Sequence, residues 1–225
     1  MCGRYSLTTP PEAMRGFFKI TGPLPNLAPR YNLAPTQTAP IVRPADDGNE
    51  MVPARWGLVP SWSEGPESGY SLINARAETV ADKPAFRGAF RARRCLVPAD
   101  GFYEWQARDK RPKQPYHIHL RTRAPLAFAG LWENWEKEGE RILSFAIIVT
   151  EANAMMREIH DRMPVILSPD DFDRWLDAET AGPDAQALLK PCAADLLVAE
   201  PVGTRVNNPK NDDAGCIEPL AAAAR

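Results

Sequence analysis

From about residue 94 onward, apolar residues come in short runs, at 94–98, 101–106, 115–121, 126–132, 142–150 and 163–167, with turn signals between them. Runs of this length, broken by turns, predict strands rather than helices. Upstream, 39–43 and 51–59 read as two more strands, joined by the turn Asp46-Asp47-Gly48-Asn49. Helical patterns are fewer. Thr9-Pro10-Pro11-Glu12 has the form of a capping box with proline in the first turn, predicting a helix to about Ile20. Others are expected near 82–91, 152–159, 169–178 and 184–190, the third opened by Ser168-Pro169-Asp170-Asp171. Residues 22–36 read as an irregular ordered loop, and 60–70 as a loop carrying Trp62. The sum predicts an α+β fold, one compact domain over residues 1–220 with a mixed, partly closed β-sheet or barrel core flanked by short helices. Residues 221–225 are expected to be a disordered tail.

Composition sharpens this picture in one respect. Twenty-three prolines in 225 residues is roughly twice the usual share of about 5%, which favours short strands and loops over long helices. Hydrophobic residues at 44% and charged residues at 25% suit a soluble globular chain. The formal net charge of −2 points to no partner by itself. No segment approaches the roughly 20 apolar residues of a membrane span, and no signal-type apolar run follows Met1. Cys2, Cys95, Cys192 and Cys216 contain no C-x-x-C pair, and three histidines are not spaced to complete a zinc site. A cytoplasmic protein with free thiols, no metal and no cofactor is therefore expected. His117 and His119 alternate with Tyr116, Ile118 and Leu120, which predicts a strand with the two histidines at the surface.

The candidate chemistry sits at the second residue. Initiator methionine is removed when the next side chain is small, and Cys2 would then carry a free α-amine beside its thiol. Such a β-aminothiol condenses with an aldehyde to an imine, and the thiol closes on it as a five-membered thiazolidine. Two nucleophiles on one residue give the second step a high effective molarity. Their reference pKa values, about 7.7–8.0 and about 8.5, leave both forms accessible near neutrality. Alone, Cys2 reads more readily as an incidental small residue at a frayed end, and the segments below shift that reading. A second class also opens with Met-Cys-Gly, the glutamine amidotransferases with an N-terminal cysteine, but here Arg4-Tyr5 follows and no Asn-Gly pair occurs.

Four segments taken together resemble the SOS-response-associated peptidase family: Cys2-Gly3-Arg4-Tyr5, Asn74-Ala75-Arg76-Ala77-Glu78-Thr79, Ala99-Asp100-Gly101-Phe102-Tyr103-Glu104-Trp105, and Ile159-His160-Asp161-Arg162-Met163-Pro164. Arg30-Tyr31-Asn32-Leu33-Ala34-Pro35, Arg55-Trp56-Gly57-Leu58 and Asn207-Asn208-Pro209-Lys210-Asn211 support it, so the resemblance runs from residue 2 to about 219. It implies a β-rich domain with a positive channel for single-stranded DNA, in which Cys2 captures the ring-opened aldehyde of an abasic site and shields it as a covalent crosslink. Glu104 would be the acid/base carboxylate, His160 a second proton-transfer group, and Asn74 the residue positioning the amine. Arg4, Arg76 and Arg162 would hold phosphates, Asn32 and Thr150 would add contacts, and Trp62 would stack on a base or wedge a duplex end. The family pattern often places a second aromatic beside that tryptophan, whereas Ser63 follows here.

Bland readings exist for each residue: Glu104 on the solvated face of a strand, His160 as a helix cap with Asp161-Arg162 a local ion pair, Asn74 in a turn. Lys83, Arg87 and Arg91 recur every four residues beside Phe86 and Phe90, which fits a basic helix face over a buried apolar one, either a phosphate contact or simply solvated. The function expected is therefore covalent capture of abasic sites in single-stranded DNA during the damage response. The protein would be a monomer, cytoplasmic and nucleoid-associated when bound. A cysteine hydrolase using Cys2, of peptidase or amidotransferase type, is the alternative, and a non-catalytic single-strand binder is the third.

Overall fold

A computed structural model describes residues 2–66, 72–109 and 111–221, apart from the side chain of Arg111. Twelve strands carry the fold: β1 (Tyr5–Leu7), β2 (Arg30–Leu33), β3 (Thr38–Ala45), β4 (Gly48–Trp56), β5 (Asn74–Arg76), β6 (Arg94–Ala99), β7 (Gly101–Arg108), β8 (Arg111–Leu120), β9 (Leu126–Lys137), β10 (Glu140–Glu151), β11 (Arg162–Pro164) and β12 (Leu197–Pro201). The helices are short: α1 (Pro11–Met14), α2 (Arg87–Ala92), α3 (Phe172–Leu176) and α4 (Gly182–Gln186).

Strands β10, β4, β3, β6 and β9 pair in that order, and β9 pairs back to β10, which closes a five-stranded barrel. The mixed sheet expected from the sequence is present: β4 and β5 run parallel to β10, while β9 and β11 run antiparallel to it. A second sheet, in the order β12-β8-β7-β1-β2, lies beside the barrel. Their junction is aromatic. The Tyr5 ring on β1 meets Trp56 of β4 at 5.1 Å and Phe128 of β9 at 6.0 Å, and Phe102 of β7 meets Phe128 at 6.0 Å. All four are fully buried. Each such ring contributes about 2 kcal/mol by leaving water, so a three-residue strand at the chain start is bolted to the barrel.

The continuous run Phe145-Ala146-Ile147-Ile148-Val149 is buried along its whole length, as a central strand covered on both faces requires. Past the barrel rim the end of β10 is flanked on one side by β5, with Val149 opposite Arg76, and on the other by β11, with Glu151 opposite Arg162. Three of the four sequence segments named above meet there or next to it.

Several helix expectations shrink. Only Pro11–Met14 is α-helical; bonded turns continue it to Ile20, where Lys19 takes a left-handed φ of 52°. The capping box does not form, because the Thr9 hydroxyl and amide are spent on Asp100 (2.7 and 2.9 Å). The 82–91 pattern gives a helix only from Arg87, 152–159 gives a 3₁₀ turn at Met156–Glu158, and β2 occupies part of the expected loop 22–36. Strand β12 was not assigned from the sequence, although the short apolar run Leu196-Leu197-Val198-Ala199 falls on it; it is an edge strand paired to β8. The expected tail falls at 222–225 outside the described residues, as do 67–71 of the Trp62 loop. Among the described residues no helix is long and apolar enough to cross a membrane.

Candidate active site

The start of the chain is held by strand pairing. Tyr5 and Ser6 of β1 lie opposite Phe102 and Gly101 of β7, and the Tyr103 N–H donates to Arg4 O at 2.9 Å. This antiparallel register runs Cys2 back toward Glu104. Cys2 is buried, and its thiol is pushed well above the ordinary range by that burial and by the negative charge of Glu104, against a backbone N–H donated by Arg4. The sulfur is therefore a neutral thiol at rest.

Glu104 is 3% exposed, so the solvated-face reading of its strand fails: β7 is buried from Gly101 through Glu104. Burial, reinforced by Asp161, raises its carboxyl to about 7. His160 stands 3.9 Å from it, Nε2 to Oε2, and this contact joins the second sheet to the β10–β11 end of the barrel sheet. The backbone N–H of Arg162 donates to His160 Nδ1 at 3.0 Å. A neutral ring accepting there carries its proton on Nε2, directed at Glu104. Burial lowers the His160 pKa and so favours that neutral form. On protonation, Nδ1 would turn its new hydrogen to Asp161 Oδ1, 2.9 Å away.

Asn74 opens β5, opposite Ile147. Its Oδ1 and Nδ2 are both buried, and neither has a hydrogen-bond partner among the described residues. Each unmet group of this kind costs about 1–3 kcal/mol, and an unmet donor and acceptor on one side chain suit a ligand that offers both. Two residues on, Arg76 is exposed. Arg162 across β10 is partly exposed and ion-paired with Glu78, not with Asp161.

The remaining sequence candidates divide. Trp62 is 61% exposed in the loop after β4, open to stacking. Arg4 lies over the Trp105 ring at 5.8 Å, and its Nη1 donates to Asn32 Oδ1 (2.9 Å) and Val206 O (2.8 Å). Asn32 and Thr150 are buried, at 0% and 4%, and present no surface to a phosphate. The Asn32 amide instead donates to three carbonyls, Val206, Asn208 and Asn211, and the Thr150 hydroxyl faces Leu189 O. Lys83, Arg87 and Arg91 are exposed over buried Phe86 and Phe90 as the spacing predicts. Arg94 is not part of that face: it is buried, and donates to the carbonyls of Trp175 (2.6 Å), Phe90 (2.9 Å) and Asp177.

The histidine pair corrects the sequence reading. His117 and His119 are 4% and 2% exposed, not at the surface: β8 is an inner strand of its sheet, and Tyr103, Ser6 and Glu200 stand against the two rings. His117 Nε2 meets Ser6 Oγ at 2.9 Å, and His119 Nε2 lies 3.3 Å from Glu200. Among the described residues no group of three or more His, Cys, Asp or Glu side chains is arranged to hold a metal. Sequence reasoning also missed Trp105 as a partner of Arg4 and Asn207; its Nε1 donates to Asn207 Oδ1 at 2.7 Å. The only signal was the asparagine-rich stretch at 207–211, which carried no assigned role.

A closed barrel with a second sheet, joined at a buried cysteine in the second position, a raised carboxyl and a histidine, defines the class. The model of the SOS response associated peptidase (SRAP) family matches residues 1–209, and the chain belongs to that family. It is 41% identical over 222 residues to the abasic site processing protein YoaM of Bacillus subtilis, covering 97% of this chain and 98% of that one. It is 32% identical over 263 residues to the abasic site processing protein HMCES of Xenopus tropicalis, covering 96% of this chain and 78% of the relative. Among solved structures, a Bacteroides thetaiotaomicron protein superposes with a TM-score of 0.88 over 97% of this chain and all of its own; at 24% identity it speaks for the fold alone. A Bordetella bronchiseptica protein gives 0.78 at 29% identity, over 90% of this chain and all of its own.

Proposed function

We propose that this protein, once Met1 is removed, captures the ring-opened aldehyde of an abasic site in single-stranded DNA through Cys2 and holds it as a thiazolidine. The convergence of Cys2, Glu104 and His160 carries the reading, with the unmet Asn74 amide beside it. The names of the relatives, abasic site processing proteins, support the substrate.

The Cys2 amine adds to the aldehyde carbon, giving a carbinolamine. Glu104, poised near 7, donates a proton to its hydroxyl, which leaves as water, and an iminium ion forms. The thiol then adds its sulfur to the iminium carbon while its proton passes to the Glu104 carboxylate, which is restored to its starting form. The net reaction is aldehyde plus aminothiol to thiazolidine plus one water, with no redox change. His160 Nε2–H steadies the Glu104 carboxylate between its two tasks. Asn74 accepts from the amine with Oδ1 and donates to the departing oxygen with Nδ2. Arg76, Arg162 and Trp62 serve the strand on either side. Asn32 and Thr150 act from beneath the surface, by holding backbone.

The test is a denaturing gel of untagged protein with a single-stranded oligonucleotide carrying one abasic site. A heat-stable slow band, absent with Cys2→Ala and with a retained N-terminal tag, is expected. A crosslink that survives an intact tag would refute the amine-first mechanism.

A further inference from the structure

The segment from Val206 to Asp212 is exposed at Asn207, Asn208, Pro209 and Lys210, yet it is held as firmly as core. The buried Asn32 amide donates to the carbonyls of Val206 (3.2 Å), Asn208 (3.1 Å) and Asn211 (2.7 Å). Asp212 accepts the backbone N–H groups of Tyr31 (2.6 Å) and Asn32 (2.9 Å). Trp105, next in the chain to Glu104, donates to Asn207 Oδ1 at 2.7 Å, so the loop borders the site.

The way these bonds are distributed points to a ligand. Asn207 Oδ1 is taken by Trp105, and Asn208 Oδ1 by the backbone N–H of Lys210 at 3.0 Å. Both acceptors face the protein, which leaves the two amide NH₂ groups to solvent as donors. The nearby carboxylates are neutralised, Asp212 by Arg30 and Asp213 by Arg205. Among the described residues the Lys210 ammonium has no carboxylate within ion-pair distance. The loop thus presents two neutral donors and one cation on a rigid backbone, a surface matched to a ligand that only accepts hydrogen bonds and is negative.

We propose that the Asn207–Lys210 loop grips phosphates of the DNA strand that enters the site past Trp105. This rests on the nucleic-acid reading above. It also gives buried Asn32 its part, as a positioning residue that shapes the phosphate grip without touching DNA.

The test is binding of an unmodified single-stranded oligonucleotide, by fluorescence anisotropy across a salt series. Lys210→Ala is expected to weaken binding roughly three- to tenfold and to flatten the log–log salt dependence by about 0.7, the share of one phosphate contact on a single strand. Asn208→Asp keeps the acceptor for Lys210 N–H and replaces the outward donor with an anion, so it should weaken binding further. The half-saturating concentration for crosslinking an abasic strand should rise in the same proportion. Both positions are exposed, so melting temperatures should hold. Affinity and salt slope unchanged in both variants, while wild type crosslinks through Cys2, would overturn the loop and leave the proposed function standing. Wild type that neither binds nor crosslinks the strand would sink both.

Discussion

Glu104→Gln should damage function and improve the fold, and the two effects separate by pH. The carboxyl is 3% exposed and raised from an ordinary 4.5 to about 7. A group whose folded pKa is raised favours folding below its unfolded pKa, and that advantage drains away as pH climbs to the folded value. Here the window runs from 4.5 to about 7, and the shift corresponds to about 3 kcal/mol of stability at 25 °C. Wild type should therefore lose about that much between pH 4.5 and 7 from this group. Glutamine keeps the shape and cannot ionise, so the variant should be more stable than wild type at pH 8, by up to about 3 kcal/mol, and close to it at pH 4.5. Crosslinking should move the other way. Loss of a general acid–base typically slows a reaction about 10²- to 10⁴-fold. The assays are urea unfolding at pH 4.5 and 8 and a single-turnover gel time course with an abasic oligonucleotide. A variant that crosslinks at the wild-type rate would remove Glu104 from the proton transfers. One that is less stable than wild type at pH 8 would show that the ionised carboxylate is held by partners strong enough to offset its burial.

Gly101→Ala should destabilise the protein by about 2–4 kcal/mol in chemical denaturation, because a Cβ there would stand 2.4 Å from His117 Nε2 and 2.7 Å from Ile118 O; an unchanged midpoint would mean that β8 gives way easily. His117 is lowered by burial to about 3, so it contributes stability above its unfolded pKa of about 6.5 that is lost as pH falls toward 3; His117→Gln should flatten the acid limb of a pH–stability curve, and an unaltered limb would assign it to other groups. Arg76→Ala, at an exposed position, should flatten the salt dependence of single-strand binding by about 0.7 with no change in melting temperature, whereas a fall in melting temperature without a change in slope would give the residue a structural role.

How much of this was legible beforehand varies by element. The strands of 94–150 could be read from apolar runs between turns, because a strand buried on both faces needs little beyond a short apolar stretch. The helices were overestimated where a local signal had a stronger tertiary competitor. Thr9 looks like a cap, but the Asp100 carboxylate, 91 positions away, takes both its amide and its hydroxyl. Neighbouring basic residues part for the same reason: Arg87 and Arg91 stay at the surface, while Arg94 donates to the carbonyls of Trp175 and Asp177 and is drawn inside.

Within the site, the sequence by itself determined which residue types were present and in what order, with a cysteine directly after Met1. Glu104, His160 and Asn74 could be nominated only by resemblance, since nothing local distinguishes an acid/base carboxylate from a solvated one. Tertiary structure decided that Glu104 is not the solvated one: it is buried, and that burial raises its carboxyl to about 7. It decided against the surface histidines, whose rings are buried against Ser6 and Glu200. It also turned Asn32 from a candidate contact into an anchor: three carbonyls more than 170 positions away converge on its amide, and such convergence exists only after the chain has folded back on itself.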